Sequence, residues 1–256
     1  MTPPYLSAAA PRIAAKKSQQ AFPWAQNYST FSNDPLVAAV FRLFPSHTID
    51  RPGLVNAWRS QPRDVACAAT LMWGGIDIPK GHFKLFLNQG IQRINRSLDA
   101  ICSALDDDLI CTAFTRAQGS AKLAGVSYPF FTKILFFYSL SLSQRPSLLP
   151  LIFDKWTKTA FYALLLEVDP QLASELFRPI DLSKIKIDGA AVRSGSKLVA
   201  AYMAYLEHMR HWASSIGVTE EQLEEFLFGS ALNSDRSPSN SRRELLSVIE
   251  LALALR

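Results

Sequence analysis

The sequence contains little cysteine, and none of it is arranged as a metal site or a disulfide framework. Three cysteines occur in 256 residues, Cys67, Cys102 and Cys111, without a CxxC motif or a Cys/His cluster. This spacing argues against a disulfide framework, a zinc site and a four-cysteine iron–sulfur cluster. We interpret the three residues as buried thiols of a protein in a reducing cytoplasm. We predict no metal and no cofactor.

Long apolar runs and alternating strand patterns are also missing. The longest uninterrupted apolar run, Leu198 to Leu206, falls well short of the roughly 18 residues that span a bilayer. Sustained alternation of apolar and polar residues is absent, and so is any internal repeat. The sequence therefore predicts an all-α protein that has no membrane partner.

The composition is that of a globular protein with a modest positive charge. Hydrophobic residues make up 48% of the chain and charged residues 19%, which excludes wholesale disorder. The net charge of +5 and the pI of about 9.2 fit an anionic partner such as nucleic acid, although many soluble proteins are equally basic. The length suits one large domain or two small ones.

The chain changes character near residue 33. Residues 1–32 are rich in Pro, Ala and Ser and contain no acidic residue, so we predict a flexible N-terminal arm. Helical periodicity begins after Asp34, an N-cap followed by a proline, and predicts a helical domain over residues 33–230. Residues 231–256 are interpreted as a Ser/Asn-rich linker and a last amphipathic helix.

The most distinctive stretch runs from Gly125 to Tyr138, where a glycine-led turn enters a very apolar run. Residues 120–124 before it are interpreted as the end of a short helix. Two helices joined by a glycine hairpin are thus predicted over residues 120–138, with Lys133 at the mouth of the second. Asp154 follows 21 residues after Lys133 and is predicted to cap another helix.

This lysine and this aspartate suit the cleavage of a glycosidic bond. The sugar develops oxocarbenium character, which a fixed carboxylate such as that of an N-cap aspartate stabilises. A neutral amine, favoured by apolar neighbours, can capture C1′ of the sugar as a Schiff base. The plainer interpretation is a lysine whose charged head reaches solvent and an ordinary helix cap.

The glycine hairpin, Lys133 and Asp154 together resemble the helix-hairpin-helix DNA glycosylases, in particular divergent prokaryotic members of the 8-oxoguanine glycosylase branch. The resemblance is specific over Leu123 to Trp156, and Ser127 stands where the family hairpin has its second glycine. It implies a two-lobed helical fold with double-stranded DNA bound in a cleft between the lobes. Lys133 would be the nucleophile and Asp154 the charge stabiliser. The hairpin residues on a DNA phosphate would be Gly125, Val126, Ser127 and Tyr128.

The resemblance further implies a pocket for a base that is flipped out of the duplex. The side chains considered for its walls are Trp73, Trp156, Tyr202, Tyr205, His208 and Trp212. The target would be an oxidised purine or a hypermodified base such as one in phage DNA, so the role is repair or antiviral defence. Strand cleavage by the same lysine (AP lyase activity) stays open, and we expect a monomer. The alternatives are a non-catalytic DNA-binding hairpin protein and a helical interaction protein.

Overall fold

The computed structural model describes residues 1–15, 22–23, 28–46, 48–179, 189–193, 195–228 and 240–254. Within these ranges the chain forms thirteen α-helices, a 3-10 helix at Ser29–Phe31 and one antiparallel pair of two-residue strands. The all-α prediction is confirmed. The chain divides into two compact units. The central unit holds residues 20–150, and the terminal unit holds residues 1–19 together with 151–256.

The helices are numbered along the chain. In chain order they are α1 (Pro4–Ala14), α2 (Pro35–Leu43), α3 (Arg51–Ser60), α4 (Arg63–Trp73), α5 (His82–Asn88), α6 (Ile91–Asp106), α7 (Ile110–Gln118), α8 (Tyr128–Ser141), α9 (Lys155–Val168), α10 (Pro170–Leu176), α11 (Ser196–Ile216), α12 (Glu220–Phe228) and α13 (Asn240–Ala254). The strands β1 (Phe22–Pro23) and β2 (Thr48–Ile49) pair with each other.

Two helices form the centre of the central unit. Every residue of α4 from Asp64 to Trp73 is buried, and so is every residue of α8 from Phe131 to Leu140. A helix that is apolar all round belongs in an interior, and burial of one phenylalanine side chain contributes about 2 kcal/mol. Helix α8 packs against α3, α4, α6 and α7. Lys133 therefore lies on an interior helix.

Helix α9 has the corresponding place in the terminal unit. Its residues from Thr157 to Leu166 are all buried, and it packs against α10, α12 and α13. Helix α11 presents a row of large buried side chains to this core, namely Tyr202, Tyr205, Leu206, Met209 and Trp212. Asp154 immediately precedes α9, so its position is fixed by the most buried helix of this unit.

The N-terminal segment, predicted to be a flexible arm, contains the helix α1. Leu6, Ala9 and Ile13 are fully buried on one side of it, and α1 packs against α11 and α12. The spacing of three and four residues makes an apolar stripe, which the surrounding prolines and alanines obscure in the sequence. Residues 16–21 and 24–27 of the predicted arm lie outside the described residues.

Helix α13 belongs to the same unit and meets α1. The Glu244 carboxylate accepts a hydrogen bond from the Tyr5 hydroxyl at 2.8 Å and two from the Arg12 guanidinium at 2.9 and 3.0 Å. Leu245 and Ile249 are buried. The predicted boundary at residue 230 thus does not separate α13 from the terminal unit. Residues 229–239 lie outside the described part of the chain.

Candidate active-site residues

Lys133 lies deeper in its helix than the sequence predicts. Helix α7 already ends at Gln118, so the segment 120–124, predicted as a helix end, belongs to the turn between α7 and α8. Helix α8 begins ahead of Pro129, which is tolerated there because the first turn of a helix does not use its N–H groups. Lys133 is consequently in the second turn of α8.

The Lys133 side chain is buried instead of reaching solvent, since only 5% of the residue is exposed. Its Nζ donates to the carbonyl oxygen of Pro129 at 3.1 Å, one turn earlier in α8. The same nitrogen lies 5.6 Å from the centroid of the Phe130 ring, a favourable contact between a cation and an aromatic face. The amine is therefore held close to the N-terminal turn of its own helix.

The stem of Lys133 crosses the end of α4 at Gly74. A Cβ added to Gly74 would lie 2.9 Å from Cδ and 3.4 Å from Cε of the lysine. The preceding Trp73 meets the Phe137 ring edge-on at 5.0 Å. In the sequence, Gly74 indicates only that α4 ends at Trp73. No sequence pattern indicates that Gly74 contacts Lys133.

A second buried cation, Arg51, shares the surroundings of Lys133. It is 8% exposed, and its guanidinium lies 5.7 Å from the ring centroid of Trp73 and 5.3 Å from that of Phe136. Phe136 is one turn beyond Lys133 on α8. Arg51 was not predicted as a site residue, because the following Pro52-Gly53 indicates a turn, whereas α3 begins at Arg51.

Asp154 is the N-cap of α9, as predicted. Its Oδ1 accepts from the backbone N–H groups of Trp156 at 2.9 Å and Thr157 at 3.2 Å. In return, the Thr157 hydroxyl accepts from the Asp154 N–H at 2.9 Å, which completes a capping box. Asp154 is 8% exposed. The carboxylate is thus held in one orientation by the first turn of α9.

The two residues Leu151 and Ile152, shortly before Asp154, accept hydrogen bonds from side chains of α11. The Tyr202 hydroxyl donates to the Leu151 carbonyl oxygen, and the Tyr205 hydroxyl donates to that of Ile152, both at 3.1 Å. Burial raises the pKa of both hydroxyls well above the ordinary value, and Glu224 contributes at Tyr205. Both tyrosines therefore remain protonated donors at neutral pH.

The hairpin turn packs against α5. Gly125 has a φ of +74°, and a Cβ there would collide with the carbonyl group of His82. The N–H of Ala124 donates to the Gln89 side chain at 3.1 Å. Val126 is buried, and Ser127 occupies the N-cap position of α8 in an extended backbone conformation (φ −89°) that any residue can adopt.

The aromatic residues proposed for a base pocket are mostly core residues. Tyr202, Tyr205 and Trp212 have no exposed surface, and Trp73 is 7% exposed. His208 is half-buried, donates from Nδ1 to the Ala204 carbonyl oxygen at 2.8 Å and packs on the rings of Phe161 and Trp212. Tyr202, Tyr205 and Trp212 thus lie on the side of α11 that faces the interior.

Trp156 is the pocket candidate next to Asp154. It is half-buried, and the Lys155 ammonium lies 4.6 Å from the centroid of its ring. With Leu245 and Leu246 of α13 it lines a small cavity in the terminal unit. Trp156 is thus the aromatic candidate with exposed surface beside the proposed charge stabiliser.

The predicted residues are distributed over both units. Lys133, Trp73 and the hairpin residues 125–128 belong to the central unit. Asp154 and Trp156 belong to the terminal unit, together with the candidates on α11.

The thiols differ in exposure. Cys67 and Cys102 are buried, whereas Cys111, also predicted to be buried, is exposed because it lies on the outer side of α7. Burial raises the pKa of Cys67 well above its usual value and that of Cys102 to about 12. No helix in the described ranges is long and apolar enough to cross a membrane.

The chain matches a protein-family model over most of its length. The model described as "Putative 8-oxoguanine DNA glycosylase OGG-like protein" matches residues 12–228. The matched range includes the hairpin, Lys133 and Asp154, and it ends before α13. A search of curated proteins found no match, and neither did a search of solved structures.

Proposed function

The chain belongs to the family of 8-oxoguanine DNA glycosylase OGG-like proteins, and on that premise we propose that it excises a modified base from double-stranded DNA. The family match over residues 12–228 carries this proposal, because it includes both Lys133 and Asp154. The target is an oxidised purine or a hypermodified base such as one in phage DNA. A base inside a duplex is out of reach, so it is flipped out of the stack before excision.

Lys133 acts as the nucleophile. Once it has given up its proton to solvent, its amine attacks C1′ of the flipped nucleotide, and the bond from C1′ to the base breaks. The base departs with the bonding electrons and takes up the proton that the new C1′–Nζ bond releases from the nitrogen. Opening of the sugar ring leaves a Schiff base between Nζ and C1′. Water hydrolyses this intermediate, or β-elimination of the 3′ phosphate cleaves the strand as an AP lyase does. The burial of Lys133 beside Gly74 and Phe130 supports this role.

Asp154 stabilises the positive charge that develops on the sugar. A carboxylate does this best when it is already oriented and needs no rearrangement during the reaction. The two backbone N–H bonds to Oδ1 and the capping box with Thr157 provide such an orientation. This arrangement supports Asp154 as the electrostatic partner of Lys133 in the proposed reaction.

The hairpin residues Gly125 to Tyr128 hold a DNA phosphate at the N-terminal end of α8. Backbone N–H groups and the positive end of the helix dipole favour an anion there. Such contacts position the duplex without reading its sequence. Trp156 then stacks on the flipped base, because an aromatic face with exposed surface beside Asp154 suits that role.

A panel assay tests the activity. Duplexes that carry 8-oxoguanine, uracil, alkylated purines or glucosylated hydroxymethylcytosine are incubated with the full chain, and abasic sites are counted. We expect release from at least one modified duplex and none from an unmodified one. Borohydride should trap a covalent adduct with the wild type and none with Lys133→Gln. Base release without an adduct would leave a glycosylase whose nucleophile is water and would overturn the role of Lys133.

The second candidate function is binding to DNA without excision. The hydrogen bond from Lys133 to its own helix favours it, since a lysine so placed can be purely structural. It predicts that the panel yields no abasic site while DNA affinity falls steeply with salt, as expected when several phosphates are neutralised. Weak binding that varies little with salt would instead indicate a helical interaction protein.

A further inference from the structure

Two tyrosine hydroxyls of α11 donate hydrogen bonds to the segment from Leu151 to Asp154. Close packing of apolar side chains would not by itself require these hydroxyls. Leu151, Ile152 and Phe153 are fully buried, so their backbone carbonyls need donors inside the terminal unit. Tyr202 and Tyr205 provide two of them, at 3.1 Å to Leu151 and Ile152. Buried phenylalanines would fill the same space but would remove the Tyr202 hydroxyl from the Leu151 carbonyl and the Tyr205 hydroxyl from the Ile152 carbonyl.

The ring of Phe153 is enclosed by the same two tyrosines. Its centroid lies 5.7 Å from that of Tyr202 and 4.9 Å from that of Tyr205. The residue immediately before Asp154 is therefore fixed through its side chain, while the two residues before it are fixed through their carbonyl groups.

The anchoring continues to Asp154 itself. The carbonyl oxygen of Ile152 accepts from the Tyr205 hydroxyl and also from the Thr157 hydroxyl, the latter at 2.9 Å. The same Thr157 oxygen accepts from the Asp154 N–H at 2.9 Å. A continuous chain of hydrogen bonds thus runs from α11 to the backbone of the proposed charge stabiliser.

We propose that Tyr202 and Tyr205 are positioning residues, which fix the Asp154 carboxylate for the reaction through the backbone that precedes it. The inference rests on the proposed function. Neither tyrosine has exposed surface, so neither touches DNA. Their effect is on geometry, and a misplacement of about 1 Å at a reacting group can cost on the order of a hundredfold in rate.

The test measures base release in single turnover at saturating DNA, with the duplex of the panel that the wild type processes fastest. The variants are Tyr202→Phe, Tyr205→Phe and the double variant. The matched control is Tyr28→Phe, which removes a buried tyrosine hydroxyl bonded to the Ile76 carbonyl at 3.2 Å in the central unit. We expect the rate to fall about tenfold in each single variant and about a hundredfold in the double variant. The control keeps the wild-type rate, and DNA affinity is unchanged in all four.

A second background separates positioning from a general loss of structure. In Asp154→Asn the catalytic carboxylate is already gone, so Tyr205→Phe should reduce the residual rate by less than about twofold. The amides of residues 152–157 should exchange faster in Tyr205→Phe than in the wild type, because a bond that orders this segment is lost.

Several outcomes would overturn the inference. One is a double variant that releases base at the wild-type rate. Another is an equal loss of rate in the Asp154→Asn background, which means that the tyrosines act on the whole fold. If the wild type releases no base from any duplex, the proposed function fails and this inference falls with it, whereas an active wild type with unaffected tyrosine variants removes the inference alone.

Discussion

The backbone of Gly74 lies so close to the aliphatic stem of Lys133 that a methyl group at position 74 would overlap the stem. A Cβ at Gly74 would approach Cδ of Lys133 to 2.9 Å. The end of α4 therefore determines where the amine on α8 can lie. The proposed nucleophile depends on a residue that carries no side chain, as well as on its own helix.

Replacing Gly74 with alanine should move the amine of Lys133. We expect Gly74→Ala to reduce the yield of the borohydride-trapped adduct at least tenfold, because a misplaced nucleophile loses the geometry of attack. Gly75→Ala is the control, since its Cβ meets nothing within 4 Å although φ is +70°. That variant should lose about 1 kcal/mol of unfolding free energy and keep the adduct. Equal adduct yields in the two variants would contradict the prediction.

Asparagine at position 154 should separate catalysis from stability. Its side-chain oxygen can still accept from the N–H groups of Trp156 and Thr157, and Asn caps helices about as well as Asp. We expect Asp154→Asn to lower base release at least a hundredfold while the free energy of unfolding in urea changes by less than about 0.5 kcal/mol. Asp34→Asn, at the N-cap of α2, should have the same small effect on stability and none on base release. Full base release in Asp154→Asn would end the proposed mechanism.

The hairpin turn should not tolerate a side chain at Gly125. An added Cβ would collide with the backbone of His82, and φ is +74°. We expect Gly125→Ala to cost about 3 kcal/mol in urea unfolding and to weaken DNA binding, because the turn must move away from α5. Gly217→Ala has nearly the same φ (+72°) with nothing within 4 Å, so it should cost about 1 kcal/mol. Similar losses in both variants would mean that the contact with His82 does not matter.

Alkaline pH should destabilise the protein. Burial is the largest cause of a raised pKa at Tyr5, Tyr28, Tyr138, Tyr202 and Tyr205. Tyrosines of the unfolded chain lose their protons near pH 10, whereas the folded chain retains them, so unfolding releases protons above that pH. This stabilisation is fully present below about pH 10 and is lost as the pH rises further. The melting temperature should fall as the pH rises above about 10. The fall should be less steep in Tyr5→Phe, because that variant lacks one of the buried hydroxyls.

The sequence predicted the features that depend on neighbouring residues. Asp34 and Asp154 were identified as N-caps because a cap involves a side chain and N–H groups two or three positions later. The start of α8 was harder to predict, since Gly125 can end a helix or belong to a longer turn. Only the contact with His82 distinguishes these possibilities.

The features that the sequence did not predict depend on distant contacts. Tyr202, Tyr205 and Trp212 were proposed for a pocket on the resemblance, but aromatic residues at helical spacing fit a ligand pocket and a core equally. Their burial depends on Phe153 and Phe161, which lie about 40 to 50 residues earlier in the sequence. Helix α1 and the contact between Gly74 and Lys133 were missed for the same reason.

The terminal unit combines two distant pieces of the chain, and this governs the order in which the protein matures. Helix α1 is synthesised before the central unit, yet its partners α11 and α12 are synthesised after it. The central unit is contiguous over residues 20–150 and can fold as soon as it emerges. A nascent chain therefore carries the hairpin and Lys133 well before Asp154 acquires its support.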